Sequence, residues 1–203
     1  MTTPTTTTAT MTTTETETPR GHQLHMGIAE QGKVHALEGK HGLALTCYRE
    51  AIRIAVRSGA PEVFFRHYME CTLESLERMG SYAEVLDYTD RAISHYAAIQ
   101  AESEAQRSLI RADLVHIHQR RGVVLLKLGR TDEARQALEQ ARSLARPGLR
   151  CELCDTLLGW IARGFHVDAH RILTEQEARR YFSVRPDTVN RAAAIPLPSV
   201  LSG

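Results

Sequence analysis

Small and apolar residues recur along this chain at intervals that place them on one face of a helix. One series has intervals of 3, 4, 5, 4 and 3 residues and consists of Gly32, His35, Gly39, Ala44, Tyr48 and Ala51. The same intervals recur in Gly122, Leu125, Gly129, Ala134, Leu138 and Ala141. A weaker copy consists of Leu73, Leu76, Gly80, Val85, Thr89 and Ala92. Self-similarity of this kind predicts stacked units, each of which buries its apolar face only against a neighbour.

The central glycine of each copy predicts a joint between two helices. Gly39, Gly80 and Gly129 each precede a new run of helix-forming residues by two positions. A glycine can take the left-handed backbone conformation that ends a helix without the steric penalty of a side chain, about 1 kcal/mol. Each copy is therefore expected to be a hairpin of two antiparallel helices.

Small and large residues alternate between the two predicted helices of a hairpin. Gly32 and Gly122 on the first helices, together with alanines on the second helices, should let two antiparallel helices approach closely. The larger Tyr48, Leu125 and Leu138 are expected to fill the space between them.

Seven helices are predicted from these patterns and from the apolar periodicity that continues beyond them. The last is amphipathic, carries Leu153, Leu157, Trp160 and Ile161 on one side, and is expected to cap the stack. The predicted ranges are 22–38, 41–57, 61–79, 82–100, 104–128, 131–146 and 149–163.

The segments GKVHALEGKHGLALTCYREAI and GVVLLKLGRTDEARQALEQAR resemble tetratricopeptide repeats, helix-turn-helix units that stack into a right-handed superhelix. The resemblance covers about residues 25 to 146 and implies an all-α solenoid of about three hairpins plus the capping helix. The middle copy departs from the family pattern, with Leu73 where a small residue is usual and Thr89 where an aromatic residue is usual. The glycine spacing also implies hairpins longer than the family's minimal unit.

Charge and composition argue against several classes of partner. Lys and Arg number 25 and Asp and Glu number 24, so the net charge is +1, and no global field attracts nucleic acid or a membrane surface. Aromatic residues make up only 5% of the chain, which suits the packing of alanine- and leucine-rich helices.

The first 19 residues form a separate segment by composition. Twelve of the first 18 residues are threonine, with neither an apolar run nor a basic start, so a signal peptide or a membrane span is not expected. We expect a disordered leader at 1–19, a repeat domain at 20–165, and a helical C-terminal extension with a tail at 166–203. The few cysteines and the missing targeting signal favour the cytoplasm.

The resemblance implies that the first helix of each hairpin lines a concave face that binds a partner polypeptide. On the middle helix, Glu70, Glu74 and Glu77 stand four and three residues apart and form an acidic row. The favoured function is a non-catalytic adaptor or scaffold, and self-association through an apolar end face is a further expectation. The candidate contact residues are Lys33, His67, Glu70, Glu74, Glu77, Arg78, His116, Gln119, Arg120 and Lys127.

One specialised function within the family does not fit these residues. Its chaperone-binding members hold a C-terminal carboxylate with Lys and Asn side chains on the first two hairpins. Here Glu70 and Glu74 stand where a neutral amide is wanted, and carboxylates repel a carboxylate. The sequence therefore argues against an adaptor for chaperone tails.

Candidate catalytic and metal-binding residues are sparse. Cys151 and Cys154 form a C-x-x-C, but Cys47 and Cys71 lie on different predicted hairpins, and a four-thiolate metal site needs a second close pair. The carboxylate and histidine spacing of a di-iron bundle is also missing from these helices. We expect no enzymatic activity, no metal and no cofactor.

The alternative function lies in residues 173–193, LTEQEARRYFSVRPDTVNRAA, which resemble the helix-turn-helix readers of DNA. In that interpretation the chain is a transcriptional regulator controlled through its repeat region. A simpler interpretation is that Thr174 caps a helix and Pro186 opens a final short one. No third helix remains to complete a trihelical core, so nucleic acid is the less favoured partner.

Overall fold

The chain forms a stack of helices in a computed structural model that describes residues 17–145, 151–165 and 167–197. No strand occurs among these residues. Two short 3-10 turns, Pro186–Thr188 and Arg191–Ala193, follow the last α-helix. The α-helices are α1 (Glu17–Leu37), α2 (His41–Arg57), α3 (Glu62–Arg78), α4 (Tyr82–Ala98), α5 (Glu104–Lys127), α6 (Thr131–Leu144), α7 (Glu152–Ala162) and α8 (Ala169–Ala178).

The three glycine joints lie where the sequence predicts them. Gly39, Gly80 and Gly129 have φ values of 74°, 78° and 74°, in the left-handed region, and they separate α1 from α2, α3 from α4 and α5 from α6. The first and third hairpins are tightly paired, whereas α3 contacts α2 more extensively than it contacts α4. The predicted all-α hairpin solenoid is confirmed.

The close approach that the small residues predict is present in the first and third hairpins, where each glycine faces a large side chain. A Cβ atom at Gly32 would lie 2.6 Å from Cε1 of Tyr48, and one at Gly122 would lie 2.6 Å from Cγ of Leu138. Both distances are shorter than a carbon–carbon contact allows. Glycine is therefore required at these two positions because the partner side chain occupies the space of a Cβ atom.

Helix α7 closes the stack after the third hairpin. Leu153, Leu157, Trp160 and Ile161 are all buried and belong to the main apolar core, which extends from α2 to α8. The helix packs against α6 and so covers the face of the third hairpin that has no further hairpin to bury it.

Some predicted boundaries need correction. Helix α1 begins at Glu17, so residues 17–19 are helical although they were assigned to a disordered leader. Pro19 is compatible with this start because the first helical turn needs no backbone N–H donor. Residues 1–16, and with them the rest of the predicted leader, lie outside the described residues, as do 146–150, 166 and 198–203.

The helix-turn-helix predicted for residues 173–193 does not form. Helix α8 starts at Ala169, where Asp168 caps it by accepting a hydrogen bond from the backbone N–H of Arg171, so Thr174 lies inside the helix instead of capping it. In the described residues after Ala178, up to residue 197, the structure has two 3-10 turns and no recognition helix. We call residues 179–197 the return segment, because this part of the chain runs from the Tyr181 ring beside Arg120 of α5 across α3 to α1.

No helix in the described part of the chain is long and apolar enough to cross a membrane.

Candidate polypeptide-binding face

The first helices α1, α3 and α5 present an inner face, which carries Glu30, Glu70, Glu74, Glu77 and Arg120. Glu77 is the most deeply buried carboxylate on it, with a side chain that is 0% exposed. Its oxygens accept hydrogen bonds from Arg120 Nη1 at 3.0 Å and from Lys127 Nζ at 2.8 Å, both on α5. Gln176 Nε2 and Tyr181 Oη complete the set at 2.7 and 3.0 Å.

The charges around Glu77 balance one another. Burial by itself would raise the pKa of Glu77, but Arg120 and Lys127 hold it below its ordinary value, so the carboxylate is ionised. Arg120 also donates to Glu70, two turns earlier on α3, and these carboxylates raise the pKa of Arg120 despite burial. Two helices of the stack and the C-terminal part of the chain thus meet at one satisfied ionic cluster.

Glu74 holds the return segment by its backbone. Its Oε2 accepts hydrogen bonds from the N–H groups of Ser183 and Val184, at 2.9 and 3.1 Å. Beside it, the guanidinium of Arg78 stacks 3.8 Å from the centre of the Phe182 ring. Burial raises the pKa of Glu74 to about 7, although the two N–H groups and the nearby arginines oppose that shift.

Glu30 and Gly27 on α1 hold the far end of the return segment. Oε2 of Glu30 accepts a hydrogen bond from the Asn190 N–H at 2.8 Å, and the carbonyl of Gly27 accepts one from the Ile195 N–H at 2.9 Å. The Ile195 side chain lies where a Cβ atom of Gly27 would be, 2.3 Å from that position. Lys33 pairs with Glu30 at 2.7 Å and keeps the local charge balanced.

Part of the inner face stays open and forms a groove of about 870 Å³. It lies between α3, α4 and α5, and the return segment forms one of its walls. Arg66 Nη1 and Tyr96 Oη both donate to Asp113 Oδ2, at 2.6 and 2.5 Å, and so tie α3 and α4 to α5 along the groove. Burial in this wall lowers the pKa of His67, so its imidazole is neutral at pH 7.

The groove arises from the departures of the middle repeat. Where the outer hairpins set a glycine on the first helix against Tyr48 or Leu138, the middle hairpin has Leu73 on α3 and Thr89 on α4, and both line the groove. A larger residue on α3 and a smaller one on α4 cannot reproduce the close approach seen in the other hairpins. The departure of the middle repeat from the pattern of the other two is therefore the sequence feature that indicates the groove.

The predicted contact residues divide among several places. His67, Glu70, His116 and Arg120 line the open groove. Glu77, Arg78 and Lys127 line a smaller depression, of about 320 Å³, beside α8. Lys33 and Glu74 support the return segment or its partners, and Gln119 accepts a 3.5 Å hydrogen bond from the Cys151 thiol. Their role in binding a partner stays a prediction.

Sequence reasoning missed the residues of the return segment that occupy the inner face. Tyr181, Phe182 and Val184 are the main examples, because they lie in the region that was interpreted as a DNA reader. A local signal was present: adjacent aromatic residues followed by a β-branched residue and a proline are typical of an extended segment with buried side chains.

The described residues offer little for a cofactor or metal. No group of three or more His, Cys, Asp or Glu side chains among them is close enough together to hold a metal ion. The four cysteines are unpaired, and three of them, Cys47, Cys71 and Cys154, are buried.

Comparison with known proteins agrees with the architecture. A family model described as tetratricopeptide repeat matches residues 115–146, the second half of α5 and all of α6. Searches of curated proteins and of solved structures found no match. The third hairpin is therefore similar to a tetratricopeptide repeat, which agrees with the all-α hairpin architecture of the described residues.

Proposed function

We propose that this protein is a non-catalytic adaptor or scaffold that binds a segment of a partner polypeptide in the open groove of its inner face. One observation carries the proposal: the inner face already holds an extended polypeptide, its own return segment. Glu74 and Glu30 do so by accepting backbone N–H groups, a mode of recognition that does not depend on the identity of the bound side chains.

The groove next to the return segment has the chemistry to continue this recognition. Five arginines and three carboxylates line it, together with the apolar side chains of Val63, Phe65, Leu73 and Ile117. Val63 is 64% exposed and Phe65 is 40% exposed, so both offer apolar contact area to a partner. We infer that the preferred segment carries an acidic side chain next to an apolar one.

The free cysteines support a cellular compartment for the protein. None of the four is cross-linked in this fold. Free thiols are typical of the reducing cytoplasm, where we propose that the protein acts.

Photo-cross-linking identifies the partner. A photo-reactive amino acid in place of His116 in the groove should cross-link to a partner, whereas the same amino acid in place of Glu139 on α6 should not.

Two matched valines then test the groove as the binding site. Binding of the purified partner should weaken at least tenfold with Val63→Asp, which adds a carboxylate to the groove. Val56 on α2 is equally exposed, at 65%, so Val56→Asp should leave the dissociation constant unchanged. Equal effects of the two substitutions would refute the groove as the binding site.

A further inference from the structure

The return segment is held in two different ways along its length. Near its start, Phe182 and Val184 are 2% and 5% exposed, and Val184 packs in an apolar cluster with Tyr48 and Cys71. From Asn190 onward most of the described residues are exposed. The start of the segment is therefore part of the core, whereas residues 190–197, which we call the distal end, lie on the surface of α1.

Backbone atoms and apolar side chains hold the distal end on α1. The Asn190 N–H donates to Oε2 of Glu30 at 2.8 Å, and the Ile195 N–H donates to the carbonyl of Gly27 at 2.9 Å. Leu197 packs against the apolar cluster that α1, α2 and α3 form. None of these contacts reads a polar side chain of the distal end, so another segment with the same features can replace it.

Gly27 provides the space for the Ile195 side chain. A Cβ atom at Gly27 would overlap Cδ1 and Cγ1 of Ile195, and it would lie 3.0 Å from the Ala193 carbonyl oxygen. Glycine is less favourable than alanine inside a helix, and Gly27 lies in the middle of α1. The backbone of α1 is thus open at this point to a branched apolar side chain, while Glu30, one turn away, binds an N–H group five residues earlier in the segment.

We propose that the α1 surface around Gly27 and Glu30 is a second polypeptide-binding site, at which a partner segment displaces the distal end of the return segment. The segment that fits has an N–H donor for Glu30 and, five residues later, an isoleucine or valine side chain for Gly27. Small residues separate the two positions, as residues 192–194, all alanine, do in the distal end. This site lies on α1 and not in the open groove, so it does not depend on partner binding there.

The distal end acts as an internal competitor at this site. Because it is tethered to the same chain, its effective concentration is high, about millimolar for a short connection. A partner segment must therefore bind more tightly, and it can do so by burying its apolar side chain more fully than Ile195, which stays 37% exposed. Binding of a partner on α1 is then coupled to release of residues 190–197.

A labelled peptide with the sequence of residues 188–197, TVNRAAAIPL, tests the site in the full-length chain. Ile195→Asp in the chain frees the site from its own distal end, so fluorescence anisotropy should show binding at least tenfold tighter than to the wild type. A peptide that is N-methylated at the position of Asn190 lacks the donor to Glu30 and should bind at least tenfold more weakly. A peptide with valine in place of isoleucine should bind with similar affinity.

Two helical glycines provide matched variants in the Ile195→Asp background. Gly27→Ala fills the space for the isoleucine and should weaken peptide binding at least tenfold, whereas Gly42→Ala, with no atom within 4 Å of a built Cβ, should leave it unchanged. Both substitutions favour a helix, and circular dichroism verifies the fold. Equal binding to wild type and Ile195→Asp, or binding that Gly27→Ala does not weaken, would overturn the proposal. A wild-type dimer that Gly27→Ala dissociates would also overturn it, because the occupant would then be a second copy of the chain.

Discussion

Glu77 on α3 and Arg120 on α5 form a 3.0 Å ion pair whose two side chains are 0% and 4% exposed. The pair joins the second and third hairpins, and Gln176 and Tyr181 bind the same carboxylate. Four donors on one carboxylate leave no lone pair of Glu77 without a partner, which is the condition under which buried charge is tolerated.

Removing the charge of Glu77 should destabilise the fold strongly. In Glu77→Gln the ammonium of Lys127 stays buried without its carboxylate, and we expect the free energy of unfolding to fall by about 3 kcal/mol. Urea denaturation followed by circular dichroism measures this. The control is Glu139→Gln on the exposed surface of α6, which should change stability by less than about 0.5 kcal/mol. Similar values for both variants would contradict the structural role of Glu77.

The free energy of unfolding should fall as the pH rises from 4.5 to 7, because the carboxyl group of Glu74 loses its proton in this range. Its pKa is about 7 in the folded chain against an ordinary 4.5, so its favourable contribution is complete below pH 4.5 and is lost as pH rises through 7. The expected loss is on the order of 3 kcal/mol.

The difference between wild type and Glu74→Gln isolates this group. Burial lowers the pKa of His41, His67 and His118, and these imidazoles act in the opposite direction, because protonating them below about pH 6.5 destabilises the fold. Subtracting the two pH profiles cancels the histidines, since both proteins contain them. A difference that stays constant from pH 4.5 to 7.5 would show that Glu74 does not titrate in this range.

Two glycine substitutions should have opposite signs. Gly122→Ala places a Cβ atom 2.6 Å from Cγ of Leu138, and the clash should cost about 1–3 kcal/mol of stability. Gly159 lies inside α7 with no atom within 4 Å of a built Cβ, so Gly159→Ala should stabilise the protein by about 0.5–1 kcal/mol through helix propensity alone. Thermal unfolding of both variants measures the two effects, and a stabilising Gly122→Ala would disprove the close approach of α5 and α6.

Removal of the hydroxyl group should change stability differently at two buried tyrosines. Tyr48 Oη is buried and has no hydrogen-bond partner among the described residues, so Tyr48→Phe should be neutral or stabilising by up to about 1 kcal/mol. Tyr68 Oη lies 2.7 Å from His25 Nδ1, and Tyr68→Phe should destabilise by about 1 kcal/mol. Chemical denaturation compares them, and equal destabilisation would mean that Tyr48 does have a partner.

The end of the return segment should be released by loss of one N–H group. Asn190→Pro removes the N–H donor to Glu30 and also moves φ from −94° toward the value of about −65° that proline requires. Trypsin should then cleave after the exposed Arg191 several-fold faster, with gel electrophoresis as the readout. Asn190→Ala keeps the N–H group and should be cleaved at the wild-type rate. If both variants match the wild type, the backbone contact does not hold the segment.

The hairpins were predictable because the requirements that define them are local. A glycine at position 80 must end α3, and Gly122 must face Leu138, and both requirements appear as short, repeated spacings. The return segment was not predictable in this way. Its bonds join Tyr181 to Glu77, 104 residues apart, and Asn190 to Glu30, 160 residues apart, and the segment between them has no periodic pattern. The candidate contact residues lie on α1, α3 and α5, the first helices of the hairpins, and their role in binding a partner stays a prediction. Local pattern could not predict that the chain's own C-terminal segment contacts several of them.

The path of the return segment alters how the stack should come apart. A linear array in which each repeat meets only its neighbours unfolds gradually, with fraying that starts at an end. Here residues near the C-terminus are hydrogen-bonded to Glu30 in the first hairpin and to Glu74 in the second, and Arg120 of the third hairpin lies over the Tyr181 ring. These contacts tie the terminal hairpins to one another, so we expect the array to unfold as one cooperative unit.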